Sequence, residues 1–485
     1  MDPLREFIDT GSPRLFIGGE WVAAADGGEL EVLDPATAQP LTVVASGGVA
    51  DARAAVEAAS AAAPGWAATS PQQRSEILRA GFESMTARAE EIARLIVAEM
   101  GKAFSEARGE AIYAAEFFRW YSGEAVRNAG GLMTAPAGDK RIVSIHQPVG
   151  VALLITPWNF PAAMATRKIA PALAAGCTLI LKPASDTPLT ALAIAALLRE
   201  AGLPDGVLNV MPSNRSSQVV PVILGDERVR LVSFTGSTEV GRGLLAEAAR
   251  TVVNTSMELG GNAPFLVFED ADIEAAVEGA MVAKMRNGGQ SCVAANRFFV
   301  HAAVADEFAG RLAAAMAALE VGPGLEPGVE LGPLINRAAQ DDMIDVVDVA
   351  TGAGSKVATG GRAPERAGFF FEPTVLTGVE PDAPILEREI FGPVAPIAVF
   401  ETEGQAVALA NNTIHGLASY LYSADLSRAM RVAEALEAGM VGVNRGLISD
   451  PAAPFGGVKQ SGIGREGAHE GMLEFLETKY IAVDW

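Results

Sequence analysis

Val149-Gly150-Val151-Ala152-Leu153-Leu154-Ile155-Thr156 is followed by Pro157-Trp158-Asn159-Phe160-Pro161, an Ala-rich run over 163–175, and Thr178-Leu179-Ile180-Leu181-Lys182. A strand with one solvated face alternates apolar and polar residues, and these apolar runs do not alternate. They read as short strands buried on both faces, which is the signature of a parallel sheet. Helical periodicity over 163–175 supplies the crossover between them. The pattern repeats: Val207 to Met211 and Leu231 to Phe234 read as further strands, with helices at 188–202 and 215–224 between. The class is α/β. Upstream, 48–64 and 71–100 have helical periodicity, and Pro71 suits a helix start. Downstream, a second alternating set runs from about 261 to 460, with helices near 272–286, 304–319, 336–352 and 425–438. Residues 122–148 read as a β-hairpin interrupting the first set.

A chain of 485 residues is too long for one core, so two or three domains are expected. Hydrophobic residues at 49% with 20% charged residues indicate a folded globular protein. The net charge of −22 argues against nucleic acid or anionic membrane as partner. It also makes single Arg and Lys residues informative wherever an anion must bind. Two cysteines make a disulfide framework implausible and a reducing compartment the expectation. The early residues Asp2, Arg5, Glu6 and Asp9 leave no room for an apolar signal core. No apolar run reaches the roughly 18 residues of a membrane span. A soluble, cytoplasmic, metal-free protein is expected.

Cys177 lies in an apolar run and reads as core. Cys292, in Asn287-Gly288-Gly289-Gln290-Ser291-Cys292, follows a glycine pair, an amide and a hydroxyl. That stretch reads as a tight turn with exposed backbone, able to aim N–H groups at one point, as a nucleophile and its oxyanion require. A free Cys is otherwise a small buried apolar residue. None of the four histidines, His146, His301, His415 and His469, sits in a familiar catalytic context. The remaining candidate base is Glu258, which ends a strand-like segment just before Gly260-Gly261-Asn262. A structural ion pair or a solvated strand end explains Glu258 equally well in isolation. Gly462-Ile463-Gly464-Arg465-Glu466-Gly467 matches a dinucleotide fingerprint, but no clear strand precedes it and too little chain follows for a βαβ unit, so it reads as a structural turn. Phosphate recognition fits better where the strand ending in Phe234-Thr235-Gly236-Ser237 meets a helix, although an ordinary Ser-capped helix has the same pattern.

Seven segments occur in a fixed order: Pro157 to Pro161, Leu181 to Ser185, Phe234 to Gly241, Glu258 to Asn262, Gly289 to Cys292, Glu389-Ile390-Phe391-Gly392-Pro393, and Pro454-Phe455-Gly456-Gly457. Together they resemble the aldehyde dehydrogenase superfamily from Phe16 to the last strand. The resemblance implies a Rossmann-type cofactor domain (1–125 and 149–257), an α/β catalytic domain (258–465) and a β-hairpin oligomerisation arm (126–148 and 466–485), assembled as a homodimer or homotetramer. It implies NAD(P)-dependent oxidation of an aldehyde to a carboxylic acid, with Cys292 as nucleophile, Asn159 and the Cys292 N–H holding the oxyanion, and Glu258 activating water. Cofactor contacts carry over to Trp158, Lys182, Ser185, Gly236, Ser237, Glu389 and Phe391. For Lys182 and Glu389 the plain alternative is a surface charge; for Trp158 and Phe455 it is aromatic core.

Arg167, Arg286 and Ser449, with Phe455 as a wall, look like the succinate-semialdehyde dehydrogenase branch, whose members hold the substrate's far carboxylate with such groups. The arginines could instead pair with some of the 59 acidic residues. Related readings are glutarate semialdehyde or another aldehyde as substrate, or a non-catalytic homologue. Ala294 stands where some relatives carry a second cysteine, so a local redox switch should be absent. Ser185, three positions after Lys182, stands where NAD-preferring relatives commonly have an acid. NADP is therefore expected over NAD, with Asp186 nearby as the opposing charge.

Overall fold

The computed structural model describes residues 14–484. The early acidic and basic residues Asp2 to Asp9 lie outside the described residues. The first sheet has eight strands in the order Gly462–Ile463, Asn254–Glu258, Val229–Thr235, Val151–Ile155, Thr178–Lys182, Leu208–Val210, Leu15–Ile17, Glu20–Val22. Its five central strands are parallel. Val151–Ile155 and Thr178–Lys182 are buried at every position, which is why neither alternates. Each such Leu, Ile or Val removed from water stabilises the fold by roughly 1.5–3 kcal/mol.

Register brings the carboxyl ends of these strands together. Ile155 pairs beside Lys182, Phe234 beside Ile155, and Thr235 beside Glu258. The loops that leave this end carry Trp158 and Asn159, Ser185, and Gly236 and Ser237. The second sheet has seven strands in the order Lys356–Thr359, Thr374–Thr377, Val394–Phe400, Ala295–His301, Ala263–Val267, Ala418–Tyr422, Met440–Val443. It presents amino ends to the same region: Gly260 precedes Ala263, Cys292 precedes Ala295, and Glu389 precedes Val394. Carboxyl ends of one sheet thus face amino ends of the other, and the crevice between them is where ligands bind in open α/β sheets.

Several elements differ from the sequence reading. The run 71–100 is two helices, Pro71–Ala87 and Ala89–Met100, broken at Arg88. Gly101, with φ of +90°, stops the second in the left-handed conformation that favours glycine. A long helix, Phe104–Ala125, went unread; it packs against Pro161–Ala175 and sends Glu106, Glu110, Tyr113 and Phe117 toward that crevice. The segment Gly462–Gly467, expected as a structural turn, carries a short strand: Gly462–Ile463 adds as an antiparallel edge to Met257–Glu258, and Glu466 bridges to Phe455. A third sheet joins Leu476–Val483 to Arg141–Pro148 and Gly131–Thr134. Its faces are exposed, with Leu132 65% and Tyr480 55% accessible.

Candidate active site

The Cys292 turn is held by an unusual backbone. Asn287, Gly288 and Gly289 are left-handed in succession, with φ of 57°, 60° and 76°. A Cβ on Gly289 would collide with the Gly392 carbonyl, and one on Gly261 with the Cys292 carbonyl, so both glycines are required by close approach. The expectation of an exposed backbone here is corrected: Asn287 through Ser291 are buried. A buried turn must satisfy its polar groups internally, and here most are satisfied, the Asn287 Oδ1 being left without a partner. Asn287 Nδ2 donates to the Asn159 carbonyl (2.9 Å) and to the Gln290 carbonyl (2.9 Å). Asn159 Nδ2 donates to the Gln290 carbonyl as well (3.0 Å), and Glu106 Oε1 accepts from the Asn287 N–H (2.7 Å). The Lys102 ammonium bonds Glu110 (2.5 Å) and the Asn159 carbonyl (2.8 Å), while Glu110 accepts from Ala162 N–H at the start of the helix Pro161–Ala175. One connected network therefore fixes Asn159 relative to Cys292.

A cavity of about 220 Å³ opens onto the thiol. Its walls include Trp158, Asn159, Arg167, Gly236, Ser237, Arg286, Glu389, Phe391, Ser449 and Phe455. The sequence-derived residues are largely brought together, with three exceptions. Lys182 lies outside this wall and is buried, not a surface charge; its Nζ meets the Pro183 carbonyl (3.3 Å), and burial pushes the ammonium down to about 8. Ser185 lines a separate groove with Glu31, Asp186, Asn214 and Asn336. Asp186 there accepts from Asn336 Nδ2 (3.3 Å).

Glu258, the third exception, is 2% exposed and neither carboxylate oxygen has a hydrogen-bond partner. Burial first, and then repulsion from Glu466, push it well above the usual carboxylate range, against the pull of Lys168, Arg167 and Arg465. Lys168 is itself held by Glu466 (2.5 Å) and Ser233 (2.9 Å). Burial pushes the Cys292 thiol up to about 12, opposed by Arg167.

The arginines separate in character. Arg167 donates to the Tyr113 hydroxyl (2.7 Å), lies 3.7 Å from Glu466, and covers the Phe455 ring at 4.1 Å. Arg286 sits over Phe160 at 4.8 Å and has no acidic partner within ion-pair distance among the described residues. Phe455 is both cavity wall and core. Tyr113, Lys168 and Glu466 were not singled out from the sequence. The helical spacing of Glu106, Glu110, Tyr113 and Phe117 on an Ala-rich segment was the available signal for the first.

The residues fit a nicotinamide dinucleotide. The helix Thr238–Ala248 points its N-terminus, with Gly236 and Ser237, into the cavity. Ser237 also caps that helix, its hydroxyl accepting from Val240 N–H at 3.4 Å. Trp158 and Phe391 meet edge to face at 5.5 Å as a flat apolar wall. Glu389 spends Oε1 on the Gly261 N–H (2.9 Å), leaving Oε2 beside Gly260.

The sequence profile of the aldehyde dehydrogenase family matches residues 21–481. The chain belongs to the aldehyde dehydrogenase family. It is 56% identical to a succinate-semialdehyde dehydrogenase of Paenarthrobacter nicotinovorans, over 91% of this chain and 98% of that one. It is 49% identical to a glutarate-semialdehyde dehydrogenase of Pseudomonas putida, over 97% of each. The crystal structure of an NADP-dependent enzyme of Escherichia coli superposes with a TM-score of 0.96, at 47% identity and 98% coverage of both chains. As an aldehyde dehydrogenase, the chain uses NAD(P), and the site is an oxidoreductase site.

Proposed function

We propose that this aldehyde dehydrogenase oxidises succinate semialdehyde to succinate. The observation that carries this reading is Arg286, a guanidinium with no acidic partner at ion-pair distance among the described residues, opening into the same cavity as the Cys292 thiol and Ser449. A guanidinium is a fork of donors matched to a carboxylate, and in a chain of net charge −22 one held outside any ion pair is a strong recognition element. The Cys292 thiolate attacks the aldehyde carbon, and the oxyanion takes the second N–H of Asn159 and the Cys292 backbone N–H. Trp158, Glu389 and Ser237, which line the cavity, would hold a nicotinamide cofactor, and that group would supply the hydride acceptor. The thioester left on Cys292 is hydrolysed by water that gives its proton to Glu258. Because Glu258 does not line the cavity, its side chain must swing toward Cys292 for that step, and its two unpartnered oxygens leave it free of hydrogen bonds that would resist.

The test is a panel of semialdehydes with both cofactors, read as cofactor reduction. Highest kcat/KM on succinate semialdehyde supports the reading. Glutarate semialdehyde in first place would overturn it; one methylene is worth only about 1–3 kcal/mol in a pocket. No helix among the described residues is long and apolar enough to cross a membrane, and we place the enzyme in the cytoplasm. The exposed apolar residues Leu132, Met133, Tyr480 and Ile481 on the three-stranded sheet support a homodimer or homotetramer joined there.

Domain limits of 1–125 with 149–257, 258–465, and 126–148 with 466–485 are consistent with the sheet membership, except that Gly462–Ile463 joins the first sheet. NADP is the proposed preferred cofactor, because Ser185 is neutral and Asp186 is engaged by Asn336. Ser185→Glu is expected to lower kcat/KM for NADP by at least about tenfold relative to NAD, since like charges a few ångströms apart in a half-buried site repel by several kcal/mol. An unchanged cofactor ratio would remove Ser185 as the selector.

A further inference from the structure

Lys284 takes part in none of the steps above, yet it is fully buried, near the end of the helix Ile273–Met285 and two residues before Arg286. Burying an ammonium is costly unless a charge partner offsets it. Among the described residues no carboxylate lies within ion-pair distance of it. Its partners are neutral: Asn296 Oδ1 at 3.0 Å, in the strand that follows the Cys292 turn, and the Ile390 carbonyl at 3.3 Å. Ile390 is also fully buried, and it stands between Glu389 and Phe391. The same loop is held at its other end by Asn262 Nδ2, which donates to the Leu386 carbonyl (2.8 Å). Arg388 turns outward to Asp342 and Asp345 (both 2.6 Å). Lys284 is therefore the inner anchor of the segment that carries the cofactor-facing carboxylate. It also lies within electrostatic reach of Glu389: burial pushes Lys284 down to about 7 against the pull of Glu389, and pushes Glu389 up to about 7 against the pull of the Gly261 N–H and of Lys284, so near neutral pH each favours the charged form of the other.

We propose that Lys284 is a positioning residue for the nicotinamide ribose: it fixes the Ile390 carbonyl and keeps the Glu389 carboxylate ionised and aimed at the cofactor. This rests on the aldehyde dehydrogenase reading of the cavity. A methionine has nearly the same length and could fill the space without the burial cost, so packing does not explain a lysine. A purely structural lysine would leave cofactor affinity and its pH dependence as they are.

The test uses Lys284→Met and Lys284→Arg beside the intact enzyme. Whichever of NADP+ and NAD+ the wild type binds more tightly is titrated by quenching of tryptophan fluorescence, at about pH 7 and about pH 9. Lys284→Met should weaken binding by about tenfold at the lower pH, one unit of Glu389 titration, and recover part of this at the higher pH as the carboxylate ionises without help. Lys284→Arg, which retains the charge, should stay within about threefold of wild type. Hydrolysis of p-nitrophenyl acetate at Cys292, which needs no cofactor, and the KM for aldehyde should change little. Wild-type affinity in Lys284→Met at both pH values overturns the inference. So does a loss equal at both pH values and accompanied by lost ester hydrolysis, because that is general damage to the fold. A wild type that reduces neither cofactor would instead overturn the functional reading itself, so the two failures are distinguishable.

Discussion

Glu258→Gln enzyme is expected to complete one hydride transfer per active site and then stall. Rapid mixing with aldehyde and cofactor should show a burst of reduced cofactor close to the enzyme concentration. Steady turnover should then run about two to four orders of magnitude below wild type, the usual worth of a positioned base. The proposed division of labour gives the reason: Cys292 would form the thioester without Glu258, while hydrolysis would need a carboxylate to take a proton from water. Cys292→Ala should give neither burst nor turnover, with cofactor binding retained. The pH dependence has a definite sign. Glu258 lies well above the usual carboxylate range and the Cys292 thiol is pushed up to about 12. Both work deprotonated, so each step speeds up as pH rises through the neutral range toward alkaline. An unchanged steady-state rate in Glu258→Gln, or a rate falling with rising pH across that range, would remove Glu258 as the base.

Arg286→Ala is expected to cost about one to two decades in kcat/KM on succinate semialdehyde, the roughly 1.5–3 kcal/mol of a charged hydrogen bond lost in a desolvated pocket. Butanal, which ends in a methyl group, should lose about threefold or less. Arg167→Ala should behave differently. Arg167 also faces Glu466 and lowers both Glu258 and Cys292 toward their ionised forms. Its loss should impair both aldehydes and move the acid limb of the pH profile upward. Equal losses on the two aldehydes for Arg286→Ala would make that arginine structural.

The parallel strands were legible because burial on both faces leaves an uninterrupted apolar run, as in Val151–Ile155, and the helices between them because alanine and periodicity agree. The edge strands were not. Gly462–Ile463 has two residues and no pattern, and it exists only because Met257–Glu258 offers an unpaired edge. Phe104–Ala125 was missed because Glu106, Glu110 and Glu124 make it look half-polar, whereas these acids reach partners distant in sequence, Asn287, Ala162 and His469. The same holds for the site. Cys292, Asn159 and Arg286 stand in short motifs and converge on one cavity. That Arg167 lies 3.7 Å from Glu466, or that Glu466 raises Glu258, depends on contacts across some 200–300 positions, which no local window contains.

The late-sequence segment on the edge of the first sheet has a bearing on biogenesis. Gly462–Ile463 closes the strand that ends in Glu258, Ser461 bonds the Gly260 carbonyl (2.7 Å), and Glu466 holds Lys168. These groups leave the ribosome well after Cys292 has emerged. A nascent chain arrested before Gly462 would already display its reactive thiol and an unpaired strand edge, without the elements that cover and tune them. Activity should therefore depend on Gly462–Glu466 being present, and a chain arrested before that segment should give an aggregation-prone, inactive product instead of a partly active one.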